Sequence, residues 1–283
     1  GRHFLSTVDP SRLGHKALAV NLSDLAAVGA EPLAFTLALS LPRVDEAWLA
    51  GFSNGLLRLA DEHACELVGG DTTQGPLNIC ITVFGEVPPG DALLRQNAQV
   101  GDDIYISGTV GDARLALEVF RGTHALSGDA FEQARLRMEQ PTPRVALGTA
   151  LRAVANAAID VSDGLLGDLG HILKRSGVGA QIDTAWLQAA GHFGEARLSA
   201  GITPVMADLP WNKRLEFALS GGDDYELCFT APVNQRELVH AAAWETNTPV
   251  TRIGRITQEQ GLVVLDPQGQ PIAKRFASFD HFA

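Results

Sequence analysis

Ala157–Gly170 reads AAIDVSDGLLGDLG. The apolar run from Ala157 to Asp160 predicts a short strand. Val161–Gly164 predicts a turn, and Leu165, Leu166 and Leu169 open a helical repeat that continues through Ile172 and Leu173. Asp160 falls at the end of the strand and Asp163 in the turn. Carboxylates at that spacing, at a strand-to-helix junction, can converge on one ligand. Asp163 can equally act only as the cap of the helix, since a carboxylate there accepts N–H groups that lack partners within the helix. Gly164 lets a ligand approach the backbone closely.

The same style of turn recurs on either side. Gly69-Gly70-Asp71-Thr72-Thr73 follows a brief strand at Glu66–Val68, and Gly221-Gly222-Asp223-Asp224 follows the segment Arg214–Leu219. Asp24 adds a fourth acid. It lies in NLSDLAAVGA, where Asn21, Ser23 and Asp24 cut a polar notch into an Ala/Leu-rich helix. A carboxylate buried without a partner there would be costly. Any one of these turns can be a solvated loop. Together they suit a hard cation such as magnesium, which takes one or two carboxylates and fills its shell with water and phosphate oxygens. Glycines beside the acids let N–H groups face a phosphate. Arg95, in a strand-like run, could hold a phosphate bidentately, although a lone arginine is more often a surface residue.

Strands and helices alternate through the remaining chain. Asp9-Pro10 predicts a helix start, with Asp as cap and Pro at the first helical position. Leu33–Leu41 predicts a strand, Val44–Cys65 a long amphipathic helix and Leu77–Val87 another strand. Pro88-Pro89-Gly90-Asp91 marks a boundary, giving domains at 1–90 and 91–283. In the second, strands are expected at Ile104–Ser107, Val178–Ile182, Leu227–Thr230, Arg252–Ile256 and Leu262–Leu265. Helices are expected at Asp112–Phe120, Phe131–Met138, Arg144–Ala155 and Gln235–Thr246, with an irregular stretch at Thr184–Trp211.

Composition narrows the function. The 283 residues carry 33 Asp plus Glu against 22 Lys plus Arg, a net charge of −11. With no basic run or basic-aromatic stripe, nucleic acid is not an expected partner. Cys65, Cys80 and Cys228 are far apart, fitting small core thiols in a reducing compartment. No membrane span or signal peptide is apparent, so a cytoplasmic location is expected. No Walker A loop, GxGxxG fingerprint, kinase HRD/DFG set, GxSxG elbow or HExxH motif occurs.

NLSDLAAVGA, LVGGDTTQG, AAIDVSDGLLGDLG and LSGGDDYELCFT, in this order and spacing, resemble the thiamine-phosphate kinase family, within the superfamily of aminoimidazole ribonucleotide synthetase. The match runs from Arg2 to the tail. The resemblance implies a two-domain α+β protein: an N-terminal mixed α/β domain that pairs across a homodimer, and a larger C-terminal α/β domain. It implies transfer of the ATP γ-phosphoryl group to thiamine monophosphate, with ATP and several Mg2+ ions in the cleft between domains. By motif, Asp24, Asp71, Asp160 and Asp163 would bind magnesium. Gly70, Asp71, Arg95 and Ser162 would meet ATP. His3, Asp223 and Phe279 would hold the thiamine substrate, with Asp223 and Phe279 standing where relatives can carry Glu and Trp. The family's upstream Gly-Asp-Asp segment is absent, because this chain begins after it, and a fragment of the active protein is the expectation. Two other readings remain open: a sibling ATP-dependent synthetase, or a nucleotide-binding module without catalysis.

Overall fold

A computed structural model describes residues 4–195, 198–274 and 276. His3 and Phe279 lie outside the described residues. The N-terminal half runs α1 (Pro10–Ala27), β1 (Glu31–Leu41), α2 (Glu46–Glu62), β2 (Glu66–Gln74) and β3 (Asn78–Glu86). Asp9 caps α1 as its sequence predicts, accepting from Ser11 N at 2.9 Å and Arg12 N at 3.2 Å with Pro10 following. The strands form a sheet in the order β2-β1-β3, with β1 parallel to β2 and antiparallel to β3.

β2 corrects one expectation. Gly69–Thr73 is not a turn after a brief strand, because the strand continues through Gln74. Thr36 pairs with Gly69 and Phe35 with Leu67, so Val68 is the extra residue of a bulge. A side chain at Gly70 would put its Cβ 1.9 Å from the carbonyl oxygen of Leu37, and Gly70 has φ of +147°. Its lack of a side chain lets the two backbones pair.

The C-terminal half contains β4 (Asp103–Ser107), α3 (Asp112–Phe120), α4 (Gly128–Glu139), α5 (Val145–Ala150), β5 (Ala157–Asp160), α6 (Leu165–Ser176) and β6 (Gly179–Asp183). There follow a hairpin, β7 (Gly191–Phe193) and β8 (Leu198–Ala200), then α7 (Pro204–Ala207), α8 (Trp211–Ser220), β9 (Leu227–Ala231), α9 (Arg236–Glu245), β10 (Val250–Thr257) and β11 (Gly261–Leu265). The helix expected over Arg144–Ala155 is shorter than predicted: Ala153 has φ of +58°, outside the helical region. Arg95 lies in an irregular segment before β4 and not in a strand. Of the cysteines, Cys65 and Cys228 are buried, whereas Cys80 on β3 is exposed.

Six strands form a mixed sheet in the order β11-β6-β10-β4-β9-β5. Both faces of its centre are covered, and all five residues of β4 and of β9 are buried. Ile104 and Ile106 pack with Leu165, Leu169 and Phe217 in one core. Tyr105 and Phe229 stack across β4 and β9 in the other, which they share with Leu22 of α1 and Phe52 of α2. The two halves therefore bury apolar surface in common through α1, and this brings Asp24 to the C-terminal sheet.

α1 and α2 pack through glycines. A Cβ on Gly55 would lie 1.8 Å from the carbonyl oxygen of Ser11, and one on Gly14 would lie 2.0 Å from that of Phe52. Backbone atoms cannot step aside as a side chain would. Gly55→Ala should destabilise the chain by about 1–3 kcal/mol despite the helix-favouring residue it introduces. A lower thermal midpoint in calorimetry checks this; an unchanged or higher one would show that the helices separate freely.

Candidate functional site

Two segments more than fifty residues apart in sequence form one surface. β5 and β9 are antiparallel, with Asp160 opposite Leu227, and the pairing runs on beyond both strands. Val161 N donates to the Glu226 carbonyl at 2.7 Å, Tyr225 N to the Val161 carbonyl at 2.9 Å and Asp223 N to the Ser162 carbonyl at 2.7 Å. Asp223 and Tyr225 adopt positive φ, +64° and +52°. Such backbone persists where surrounding structure holds it.

The Val161–Gly164 turn is held by Asp168, one turn inside α6. A single oxygen of Asp168, Oδ2, accepts from Ser162 N and Asp163 N at 3.0 Å and from Gly164 N at 3.1 Å. The residue flanking the start of α6 is Gly164, which makes no side-chain cap. Burial pushes Asp168 up to about 7; the Asp160 and Asp163 charges add to this, and the backbone donors oppose it. Asp168 stands in the predicted helical run, but nothing in its spacing indicates that it reaches backwards.

Beneath the second loop, Glu226 is fully buried. Arg144 grips it through Nε and Nη2 at 2.6 Å each, Arg137 Nη2 reaches it at 2.6 Å and Ser107 Oγ at 2.5 Å. Burial alone would raise the pKa of Glu226, but the two arginines prevail and hold it below its ordinary value. The neighbouring Asp224 takes one hydrogen bond on Oδ1 from Gly111 N at 2.9 Å, and burial pushes its pKa well up.

The polar notch of α1 meets the end of β5. Ser23 Oγ donates to Asp160 Oδ2 at 3.1 Å. Asp160 is buried, and its pKa is pushed up to about 6, first by desolvation and then by the charge of Asp24. Asp24 keeps contact with solvent, yet the protein packed around it raises its pKa too, while Arg95 pulls it down. The fold thus brings together Asp24, Asp160 and Arg95. Asn21 turns back on its own helix, donating to the Ala17 carbonyl at 2.8 Å. Asp71 is exposed on β2, where one of its oxygens accepts from Thr72 N at 2.9 Å. Among the described residues, no three acidic, imidazole or thiol groups gather tightly enough to hold a metal by themselves.

Beside these groups opens a cavity of about 490 Å³. Ser162, Asp163, Asp223 and Tyr225 line it on the C-terminal side, and Lys16 and Asn21 on α1. Phe4, Ile79, Ile81 and Leu117 supply apolar wall. Lys16 Nζ lies 2.5 Å from Asp223 Oδ2 and 2.8 Å from the Met138 carbonyl, and 5.9 Å from the centre of the Tyr225 ring. Lys16 and Tyr225 were not among the residues expected at a site, since a lysine on an amphipathic helix usually faces water.

Residues 1–87 match the AIR synthase related protein, N-terminal domain, and residues 99–266 match the AIR synthase related protein, C-terminal domain. The fold is that of this class. Thiamine-monophosphate kinase of Escherichia coli strain K12 is 46% identical over 288 residues, spanning 100% of this chain and 84% of the relative. The crystal structure of thiamine-monophosphate kinase from Stenotrophomonas maltophilia K279a superposes with a TM-score of 0.85 at 46% identity, covering 96% of this chain and 83% of that one. AaThiL complexed with AMPPCP and TMP superposes at 0.77 with 29% identity, covering 99% and 83%. The chain belongs to the thiamine-monophosphate kinase family.

The raised carboxyl of Asp160 carries a sign. A group that binds its proton more tightly when folded stabilises the fold at low pH, and that contribution is lost as pH rises through its folded value. The part due to Asp160 should therefore fall between its ordinary 3.8 and about 6. Asp160→Asn should flatten the decline of the thermal midpoint over that window in metal-free buffer. Parallel wild-type and variant profiles would refute the assignment.

Proposed function

We propose that this chain transfers the γ-phosphoryl group of ATP to thiamine monophosphate, giving thiamine diphosphate and ADP. Membership of the family supports this most directly. Among solved neighbours, the AaThiL structure was obtained with AMPPCP and TMP, an ATP analogue and a ligand read here as thiamine monophosphate. The cavity beside Asp163 and Asp223 offers room for an acceptor of that size.

The chemistry needs no strong base. A phosphate monoester loses its second proton near pH ~6, so its oxygen is already nucleophilic at neutral pH. The obstacle is repulsion between two polyanions in an acidic cleft. Magnesium would cancel that charge and align the groups, as it does in other phosphoryl transfers. The donor set suits it. Asp24 and Asp160 are hard oxygen ligands whose mutual repulsion a dication would relieve, and magnesium takes one or two carboxylates with phosphates completing its shell. We assign Asp24, Asp71, Asp160 and Asp163 to the metals, and Gly70, Asp71, Arg95 and Ser162 to ATP. His3, Asp223 and Phe279 are assigned to the acceptor.

A homodimer through the N-terminal sheet is part of this reading. All nine residues of β2 are exposed, Leu67 and Val68 among them, and Leu33 and Phe84 on neighbouring strands are exposed too. An uncovered edge with apolar side chains is a template for pairing. The buried, unpaired thiols Cys65 and Cys228 suit a reducing cytoplasm. Among the described residues no helix is long and apolar enough to cross a membrane.

Incubation with ATP, magnesium and thiamine monophosphate should yield thiamine diphosphate and ADP, with no diphosphate from free thiamine. ADP without diphosphate would favour a sibling synthetase, and bound ATP without ADP a non-catalytic module. Asp71→Asn should lower turnover about 100-fold or more and weaken magnesium dependence. Its thermal midpoint should not move, since Asp71 is exposed. Val68→Lys should halve the mass measured by light scattering; a monomeric wild type would refute the dimer.

A further inference from the structure

Lys16 is the one lysine, arginine or histidine lining the cavity among the described residues. The charged side chains facing it there are acids, Asp163 and Asp223. Its ammonium is largely buried, with the side chain 10% exposed, and is held against Asp223 and the Met138 carbonyl. A lysine this enclosed has given up most of its hydration, and the Asp223 carboxylate and the Met138 carbonyl offset that cost. Lys16, Val20 and Asp24 follow one another at helical spacing along a single face of α1. That face runs about 12 Å from the cavity to the place where the carboxylates gather. The positive end of the face therefore opens on the acceptor cavity and the acidic end on the assigned metal site.

Thiamine monophosphate is a zwitterion, with a fixed thiazolium cation and a phosphate dianion. Resting on the acceptor assigned above, we infer that the Lys16–Asp223 ion pair is a specificity device that opens to admit this zwitterion, Lys16 taking the phosphate and Asp223 the cationic ring system. The exchange leaves no buried charge alone. Each partner trades one opposite charge for another, so binding does not strand the enclosed lysine as a cationic ligand would, while Asp223, 38% exposed, keeps water beside it. Free thiamine satisfies Asp223 alone and leaves Lys16 without its partner, which disfavours the unphosphorylated vitamin. Asp223 is held in place for this role by its positive φ and by its bond to the Ser162 carbonyl. Tyr225, whose ring lies against the ammonium, forms one wall.

The test compares wild type with Lys16→Met and Lys16→Arg, measuring KM for thiamine monophosphate, KM for ATP and the inhibition constant of free thiamine. Lys16→Met should raise KM for thiamine monophosphate about tenfold or more, the scale of a lost charged hydrogen bond. It should leave KM for ATP within a few-fold, and thiamine should inhibit as well as before or better, because Asp223 is no longer occupied. Lys16→Arg, which keeps the charge, should recover most of the loss. A lysine that only positions Asp223 would worsen thiamine monophosphate and thiamine alike, and that result overturns the inference, as does an unchanged KM for thiamine monophosphate. Should Lys16→Met fail to fold, amine acetylation of the wild type followed by mass spectrometry decides. Thiamine monophosphate should protect Lys16 and thiamine should not; equal protection overturns the proposal. A wild-type chain that neither binds nor phosphorylates thiamine monophosphate refutes the acceptor assignment itself, and the wild-type control shows this before any variant is compared.

Discussion

The buried carboxylate of Glu226 is the constraint on which the cleft rests. It sits where β9 begins, and its partners come from three other parts of the chain: Ser107 at the end of β4, Arg137 on α4 and Arg144 just before α5. Gly108 passes so close that a Cβ there would lie 2.0 Å from Oε1, so a side chain at this position would displace the carboxylate from its partners. A buried ion cluster of this kind is a doubtful source of net stability, because desolvation offsets its attraction. Its effect is to tie three separate parts of the chain to one carboxylate. Just before it, Asp223 and Tyr225 adopt positive φ, a conformation that persists where surrounding structure holds it.

From that anchor the remaining geometry follows by pairing. The backbone of the Asp223–Glu226 segment is hydrogen-bonded to Val161–Ser162, and Asp168 gathers the next three N–H groups onto one oxygen. The two acidic turns cannot move independently. α1 lies across them, tied at one end by Ser23 to Asp160 and at the other by Lys16 to Asp223. One helix from the N-terminal half thereby touches both parts of the cleft. Its apolar face joins the core beneath the six-stranded sheet, so apolar burial supplies the attraction and the polar contacts supply the register.

Much of this was legible beforehand. The strand-turn-helix at Ala157–Gly170, the cap at Asp9 and the polar notch at Asn21–Asp24 are local patterns, and local patterns survive folding when tertiary contacts agree with them. Asp24 and Asp160 were named from sequence and do come together, with Arg95 near them. The Gly69–Thr73 segment was misread because glycine-rich runs look like turns, whereas here the glycine serves a close strand pairing. Asp71 was grouped with the other acids by motif, and on β2 it stands exposed.

The sequence alone determined the alternation of elements, the family and most of the acids of the cleft. These depend on residue type, short-range spacing and the order of motifs along the chain, all of which are visible in one dimension. Tertiary structure alone decided that Lys16 turns inward to Asp223, that Asp168 reaches back over its own turn and that Glu226 is buried between two arginines. Each is a meeting of charges across up to 207 residues of chain or a reversal within a helix. No periodicity records it, because a charged side chain reads the same whether water or an opposite charge will face it once the chain has folded.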